Sequence, residues 1–173
     1  MTETIILVDE NDRPIGFEEK VKAHQGEGKL HRSFSIFIFN SEGKMLLQQR
    51  ASKKYHFGGL WSNACCSHPN KGEELSKATH RKLKQEMGFD TNLKETFTFI
   101  YKVKDSKNNM TEHEFDHVFI GTYDKEPKPN LEEVEDWKWA DIEELKKDIK
   151  NNPEKYSFWF KKAFDRVLEE FSL

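Results

Sequence analysis

The stretch NACCSHPNKGEELSKATHRKLKQEMGF, residues 63–89, sets two cysteines beside a histidine and runs straight on into a charged, amphipathic segment. Thiol, imidazole and carboxylate groups therefore crowd one short piece of chain. From Gly72 to Met87, Leu75, Thr79, Leu83 and Met87 recur at i, i+4 spacing, which predicts a helix with one inward stripe, and Gly88 stands where a left-handed residue would end it. If the run before it is extended, Cys65 and Cys66 point to opposite faces, so only one of them can look into a site. Adjacent cysteines cannot staple distant segments, so no disulfide framework is expected and a reducing cytoplasm fits best.

On the N-terminal side, Ser33-Phe34-Ser35-Ile36-Phe37-Ile38-Phe39 is rich in strand formers, Asn40-Ser41-Glu42-Gly43 reads as a turn, and residues 44–50 return, which predicts a hairpin. On the C-terminal side, Thr96 to Lys104 and Thr111 to Tyr123 form a second expected strand pair, and Trp137-Lys138-Trp139 a short alternating strand. Asp141 to Ile149 and Ser157 to Phe171 then read as helices, the last with Phe160, Ala163, Phe164, Val167 and Phe171 on one stripe. The segment 72–87 is the one helix expected between strands. This irregular order predicts the α+β class, a mixed sheet flanked by helices, in a single domain over residues 1–173.

The composition narrows the function classes. A chain of 173 residues can bury roughly 70% of the surface its unfolded form exposes, so a real core is possible. The 28 basic residues are outnumbered by 31 acidic ones, for a net charge of −3, with no long basic tract, which argues against a nucleic-acid surface. No apolar run approaches a membrane span, and Met1-Thr2-Glu3-Thr4 lacks the basic start of a signal peptide.

Ser67, Glu73, Arg81, Glu86 and Gly88 follow the frame of a Nudix box, in which Ser67, Lys82 and Gln85 replace the usual Gly, Glu and Glu. Together with the Asn-x-Cys-Cys-Ser-His-Pro run, His24 and His31 upstream, and Glu112-His113-Glu114 downstream, the chain resembles the type 1 isopentenyl-diphosphate delta-isomerases of the Nudix superfamily. The resemblance spans most of the chain and implies a Nudix-like sheet. It also implies a flavin-independent reaction, the shift of a double bond between isopentenyl and dimethylallyl diphosphate.

Residue by residue, the resemblance implies a metal site of His24, His31, His68, Glu112 and Glu114. Glu112 and Glu114, two apart on an expected strand, share a face. On residue type alone each histidine is more often an ordinary surface or core residue, and it is the resemblance that selects these three. Period-two geometry puts His113 on the opposite face, His56, His80 and His117 match nothing in the family pattern, and all four are left out. Such mixed ligation suits Mn²⁺, Zn²⁺ or Mg²⁺ without choosing among them. Glu86 is the box carboxylate implied for a Mg²⁺ that bridges to the diphosphate.

The implied acid/base pair is Cys66 and Glu114, because protonating an unactivated alkene and removing a proton from the neighbouring carbon calls for two opposed groups in a water-poor site. A nearby cation or metal could lower the Cys66 pKa enough to give a thiolate. Tyr101 matches a tyrosine that hydrogen-bonds near the acid. Trp159 matches a C-terminal tryptophan whose ring would face the carbocation. Lys20, Arg50, Lys54, Ser67 and Lys82 are the implied diphosphate contacts.

Two other functions use the same residues. A Nudix pyrophosphohydrolase would need a cluster of box carboxylates, two of which Lys82 and Gln85 delete. A non-enzymatic module would use the three histidines for a structural metal and the aromatics as a partner surface.

Overall fold

The structure is a computed structural model and describes residues 2–172. Strands β1 (Thr4–Val8) and β2 (Pro14–Glu19) form an antiparallel pair at the N-terminus, and the one-turn helix α1 (Lys20–His24) follows. Sequence reasoning assigns nothing here, because five helical residues carry no readable period. The helix of the box segment is therefore not the only one between strands.

Next comes β3 (His31–Phe39), buried on both faces for almost its whole length. The expected hairpin into β4 (Met45–Arg50) forms only at its tip, where Phe39 faces Met45. Beyond that pair the two strands part. Between β4 and the box lie the short strands β5 (Trp61–Ser62) and β6 (Cys65–Ser67), and after it run β7 (Leu93–Lys104), β8 (Thr111–Thr122) and β9 (Val134–Ala140). β3 runs parallel to β8 from His31 beside Glu114 to Phe39 beside Thr122, and gives its other edge to β1 and β6. β4 takes β9 and β5 instead. A strand covered on both faces needs partners along both edges, since buried backbone groups left unpaired cost free energy; a two-stranded ribbon could not provide them. β7 closes the β8 edge antiparallel.

The box helix α2 is Leu75–Met87 and not 72–87, because Gly72 takes φ 77°, a left-handed turn conformation that no helix continues through. Gly88 ends it as expected, at φ 74°, and a Cβ there would collide with the Lys128 carbonyl. Helix α3 (Ile142–Asn151) is capped by Asp141, whose carboxylate accepts from the backbone N–H groups of Glu143 and Glu144. Helix α4 spans Phe158–Phe171.

The sheet divides two cores. On one face Phe34, Ile36, Ile38 and Phe119 meet Ala78, Leu83 and Met87 of α2. On the other Phe37, Phe39, Val118 and Ile120 meet Phe160, Ala163, Phe164 and Val167 of α4. Phe171 is half exposed but stacks on Phe39, ring centroids 3.8 Å apart.

That second face changes character along its length. Before Phe37 and Phe39 the same side of β3 presents His31, Ser33 and Ser35. Before Val118 and Ile120 the same side of β8 presents Glu112, Glu114 and Asp116. All six are buried. Among the described residues no helix is long and apolar enough to cross a membrane.

Candidate active site

Register explains how the polar end is assembled. Glu114 lies between His31 on β3 and Tyr101 on β7, its direct cross-strand partners, and Cys66 on β6 lies opposite Ser35. His24 arrives on α1, and His68 just beyond β6. The result is a group of five possible ligands, His24, His31, His68, Glu112 and Glu114, all buried but the partly exposed His68, whose donor atoms all lie within 4.8 Å of one another.

The local hydrogen bonds point these groups at a common centre. His24 Nδ1 donates to the Lys20 carbonyl at 2.6 Å and His31 Nδ1 to the Lys29 carbonyl at 2.7 Å, which leaves each Nε2 a lone pair facing inward. His31 Nε2 lies 3.2 Å from His68 Nε2 and 3.4 Å from Glu114 Oε1, and His68 Nε2 lies 3.0 Å from that same oxygen. Electron-rich atoms converging at this range in a buried place need a shared positive charge between them. The donor set therefore fits a divalent ion, with mixed imidazole and carboxylate ligation.

The electrostatics agree with that fit. Burial opposes charge on both glutamates, yet His56 and His24 hold Glu112 well below its ordinary value. Burial and the Glu112 charge push Glu114 up, and the His31 and His68 rings against its carboxylate outweigh them, so its pKa too lies below the ordinary value. Burial pushes His68 down to about 3, leaving a neutral imidazole. For His24, burial is outweighed by the Glu112 charge, and its pKa rises.

The thiol is held from three sides. Trp159 Nε1 donates to Cys66 Sγ at 3.0 Å, Sγ donates to Asn63 Oδ1 at 3.1 Å, and Ser35 Oγ lies 3.6 Å away. Ser35 is in turn bonded to the buried Asp116 at 2.6 Å. Burial, aided by the neighbouring Asp116, pushes the Cys66 thiol up to about 12. Arg50 favours the thiolate, but less than desolvation opposes it. Cys65 points the other way, into the core beneath α2, as the extended run requires.

Tyr101 OH donates to Glu114 Oε2 at 2.7 Å, and its ring stacks against Trp159 with centroids 6.2 Å apart. Thiol and carboxylate are thus each gripped by one of two neighbouring rings.

One cavity collects most of the expected residues. Its floor includes Cys66, His68, Tyr101, Glu112, Glu114 and Trp159, and its rim Lys20, Arg50, Lys54, Ser67, Lys82 and Glu86. His24 and His31 are fully buried behind the floor. Each rim lysine has a carboxylate partner: Lys20 with Glu3 at 2.7 Å, Lys54 with Glu133 at 2.5 Å, Lys82 with Glu86 at 3.4 Å. Arg50 donates to the carbonyls of Phe57 and His56 and lies 5.3 Å from the Trp159 ring centre, so it also braces the loop above the cavity. Arg81 is occupied by a two-pronged pair with Glu73, outside the cavity.

Sequence reasoning missed Glu3, Tyr55, His56, Gln85 and Glu133, which also line the cavity. His56 was set aside for want of a family match, yet its Nε2 contacts Glu112 Oε1. Glu3 and Glu133 come from the segments just before β1 and just before β9, and no local pattern marks either. The other three excluded histidines stay apart from the five-residue group. His117 bridges Asp12 and Glu95, His80 pairs with Asp90, and His113 points to the Gly28 carbonyl.

A family model described as a NUDIX domain matches residues 29–160. Among curated relatives, Isopentenyl-diphosphate Delta-isomerase 2 of Aromatoleum aromaticum is 51% identical over 97% of this chain and 88% of its own. A protein of the same name from Photorhabdus laumondii is 52% identical over 95% and 92%. Among solved structures, DR0079 from Deinococcus radiodurans shares the fold with a TM-score of 0.70 at 19% identity, over 87% of this chain and 90% of that one. The MutT protein from Methanosarcina mazei follows with a TM-score of 0.67 at 18% identity, over 83% and 96%.

Proposed function

The chain belongs to the isopentenyl-diphosphate Delta-isomerase family of Nudix-fold proteins, and on that premise we propose that it interconverts isopentenyl and dimethylallyl diphosphate in the cavity lined by Cys66 and Glu114. The observation that carries the reading is the pair of grips just described, Trp159 on the thiol and Tyr101 on the carboxylate.

The reaction adds a proton to the terminal methylene and removes one from the adjacent CH₂, and the double bond moves between them. It needs one acid and one base at the same time. With sulfur protonated and Glu114 ionised, the resting site holds one of each and requires no proton from outside. After the shift the proton has changed partner, and the reverse reaction or exchange with solvent restores it. The tertiary cation between the two transfers is met by the Trp159 indole face, a contact worth about 2 kcal/mol when desolvated.

Lys20, Arg50, Lys54 and Lys82, with Ser67, bind the diphosphate. In the structure the lysines already sit against carboxylates, so their ammonium groups are held at the rim and pass from Glu3, Glu133 and Glu86 to the phosphate oxygens. Glu86, beside Lys82, would be the carboxylate to hold a Mg²⁺ that comes with the diphosphate. His24, His31, His68, Glu112 and Glu114 hold a divalent ion, for which Mn²⁺, Zn²⁺ and Mg²⁺ suit the donors. When bound, that ion neutralises the clustered carboxylates and makes a proton on Glu114 more acidic. The reaction needs no flavin, residues 1–173 act as one domain, and the cytoplasm is the compartment that keeps Cys66 reduced.

The test is incubation of the purified chain with isopentenyl diphosphate and Mg²⁺ in D₂O without flavin. Deuterium in an acid-labile allylic product is expected. Release of inorganic phosphate, or a requirement for reduced flavin, would overturn the reading.

A further inference from the structure

We propose that His56 is a positioning residue for the metal centre: its imidazole holds Glu112 by one oxygen so that the other stays turned toward His24 and the ion. This inference rests on the reading of the five-residue group as an ion site, and concerns a residue outside that group.

The argument starts from Glu112, which is 4% exposed, so both of its carboxyl oxygens need partners. Oε2 lies 3.0 Å from His24 Nε2, on the side of the ion site. Oε1 contacts His56 Nε2 instead. A carboxylate fixed at only one oxygen could rotate about its last bond and carry the ligand atom off the centre; His56 removes that freedom.

The tautomer follows from the surroundings. His56 is 5% exposed, and among the described residues its Nδ1 has no hydrogen-bond partner. A carboxylate that ligates a cation only accepts, so the proton of a neutral ring belongs on Nε2, where it is donated to Glu112, and Nδ1 keeps a lone pair. Buried N–H groups without an acceptor are rarer than buried acceptors without a donor, which favours the same assignment.

His56 also differs from the ligand imidazoles in how it is built in. His24 and His31 anchor Nδ1 to backbone carbonyls and present Nε2 to the centre, whereas His56 commits Nε2 to a carboxylate. It is the partner of a ligand and not a sixth ligand. Its own position is fixed by the Tyr55 ring at 4.0 Å, by the Phe57 ring at 5.4 Å, and by Arg50, which donates to its carbonyl at 3.3 Å. The loop that carries it is thus tied down by the same arginine that overlies Trp159.

Groups that orient a metal ligand in this way typically account for 10–100-fold in metal affinity. The test uses the full chain and Mn²⁺ or Zn²⁺ alone as probes, with dissociation constants from chelator competition for wild type, His56→Leu and His56→Gln, and thermal melting of each metal-free protein. His56→Leu should weaken binding 10–100-fold, while His56→Gln, whose amide N–H can still reach Glu112, should recover most of that loss. Unchanged affinity in His56→Leu, or equal losses in both variants, would overturn the proposal. If the leucine variant does not fold, His56→Ala takes its place under the same criteria, a tenfold or greater loss that His56→Gln recovers supporting the role and any smaller or unrecovered loss refuting it. A wild-type chain that binds neither ion would overturn the reading of the centre itself, a result distinct from tight wild-type binding with an indifferent His56.

Discussion

One face of β3 and β8 is apolar at one end and ionisable at the other, and the two ends are built on the same strands. Phe37, Phe39, Val118 and Ile120 bury themselves against α4, while His31, Ser35, Glu112 and Glu114, a few positions earlier, line or support the cavity. The apolar end stabilises by removing surface from water. The polar end buries charge that must be compensated residue by residue, and it gains the fixed geometry that its neighbour imposes. A rigid, close-packed half-strand is thus what holds a set of mutually awkward groups in place.

Breaking the two ends separately should give opposite results. Cys66→Ser should lower isomerisation about 10⁴-fold, roughly 5 kcal/mol of transition-state stabilisation, with the melting temperature and metal content close to wild type. Retained turnover in that variant would remove the thiol from the chemistry. Phe37→Ala, at the other end of the face, should cost about 3–5 kcal/mol of folding stability in denaturant titrations. Its activity per folded molecule should stay near wild type at low temperature. A large activity loss in that fully folded variant would show that the two ends are not separable.

The protonation of the thiol sharpens the contrast. Because burial raises the folded Cys66 pKa to about 12, the thiolate fraction is small at pH 8 and grows as pH rises toward that value. Alkylation by iodoacetamide at pH 8 should therefore run roughly a hundredfold slower than for a free cysteine, after allowing for the greater nucleophilicity of a high-pKa thiolate. The rate should keep climbing above pH 9, where a free thiol has levelled off. A plateau near pH 7 would place a thiolate in the resting site.

The smallest effect belongs to the rim. Lys82→Gln should raise KM for the diphosphate about tenfold, near 1.4 kcal/mol, and leave kcat within a factor of a few, since this ammonium binds the substrate and not the reacting carbons. A fall in kcat with unchanged KM would give Lys82 a role in the proton shift instead.

Much of this was legible before any fold was known. The i, i+4 stripe from Leu75 to Met87 marked the box helix, and the two-residue spacing of Glu112 and Glu114 put both carboxylates on one side. The alternation of an extended run sent Cys65 and Cys66 opposite ways, as they lie here. Local periodicity records which face a side chain takes, and that information sits within a few residues. The start of the box helix was misplaced, because only the backbone reveals that Gly72 is left-handed. The hairpin at residues 33–50 was read from good turn chemistry at its tip, but nothing local says whether two strands stay together beyond a turn.

What the chain determined by itself was the stock of reactive groups, their faces and their family likeness. Only the folded structure decided that β3 runs beside β8 in the register that sets His31 next to Glu114, that the loop after Arg50 brings His56 to Glu112, and that Lys20 and Lys54 meet Glu3 and Glu133. Those contacts join segments far apart in sequence. They arise from covering both faces and both edges of a central strand, a condition on the whole molecule that no short window of residues records.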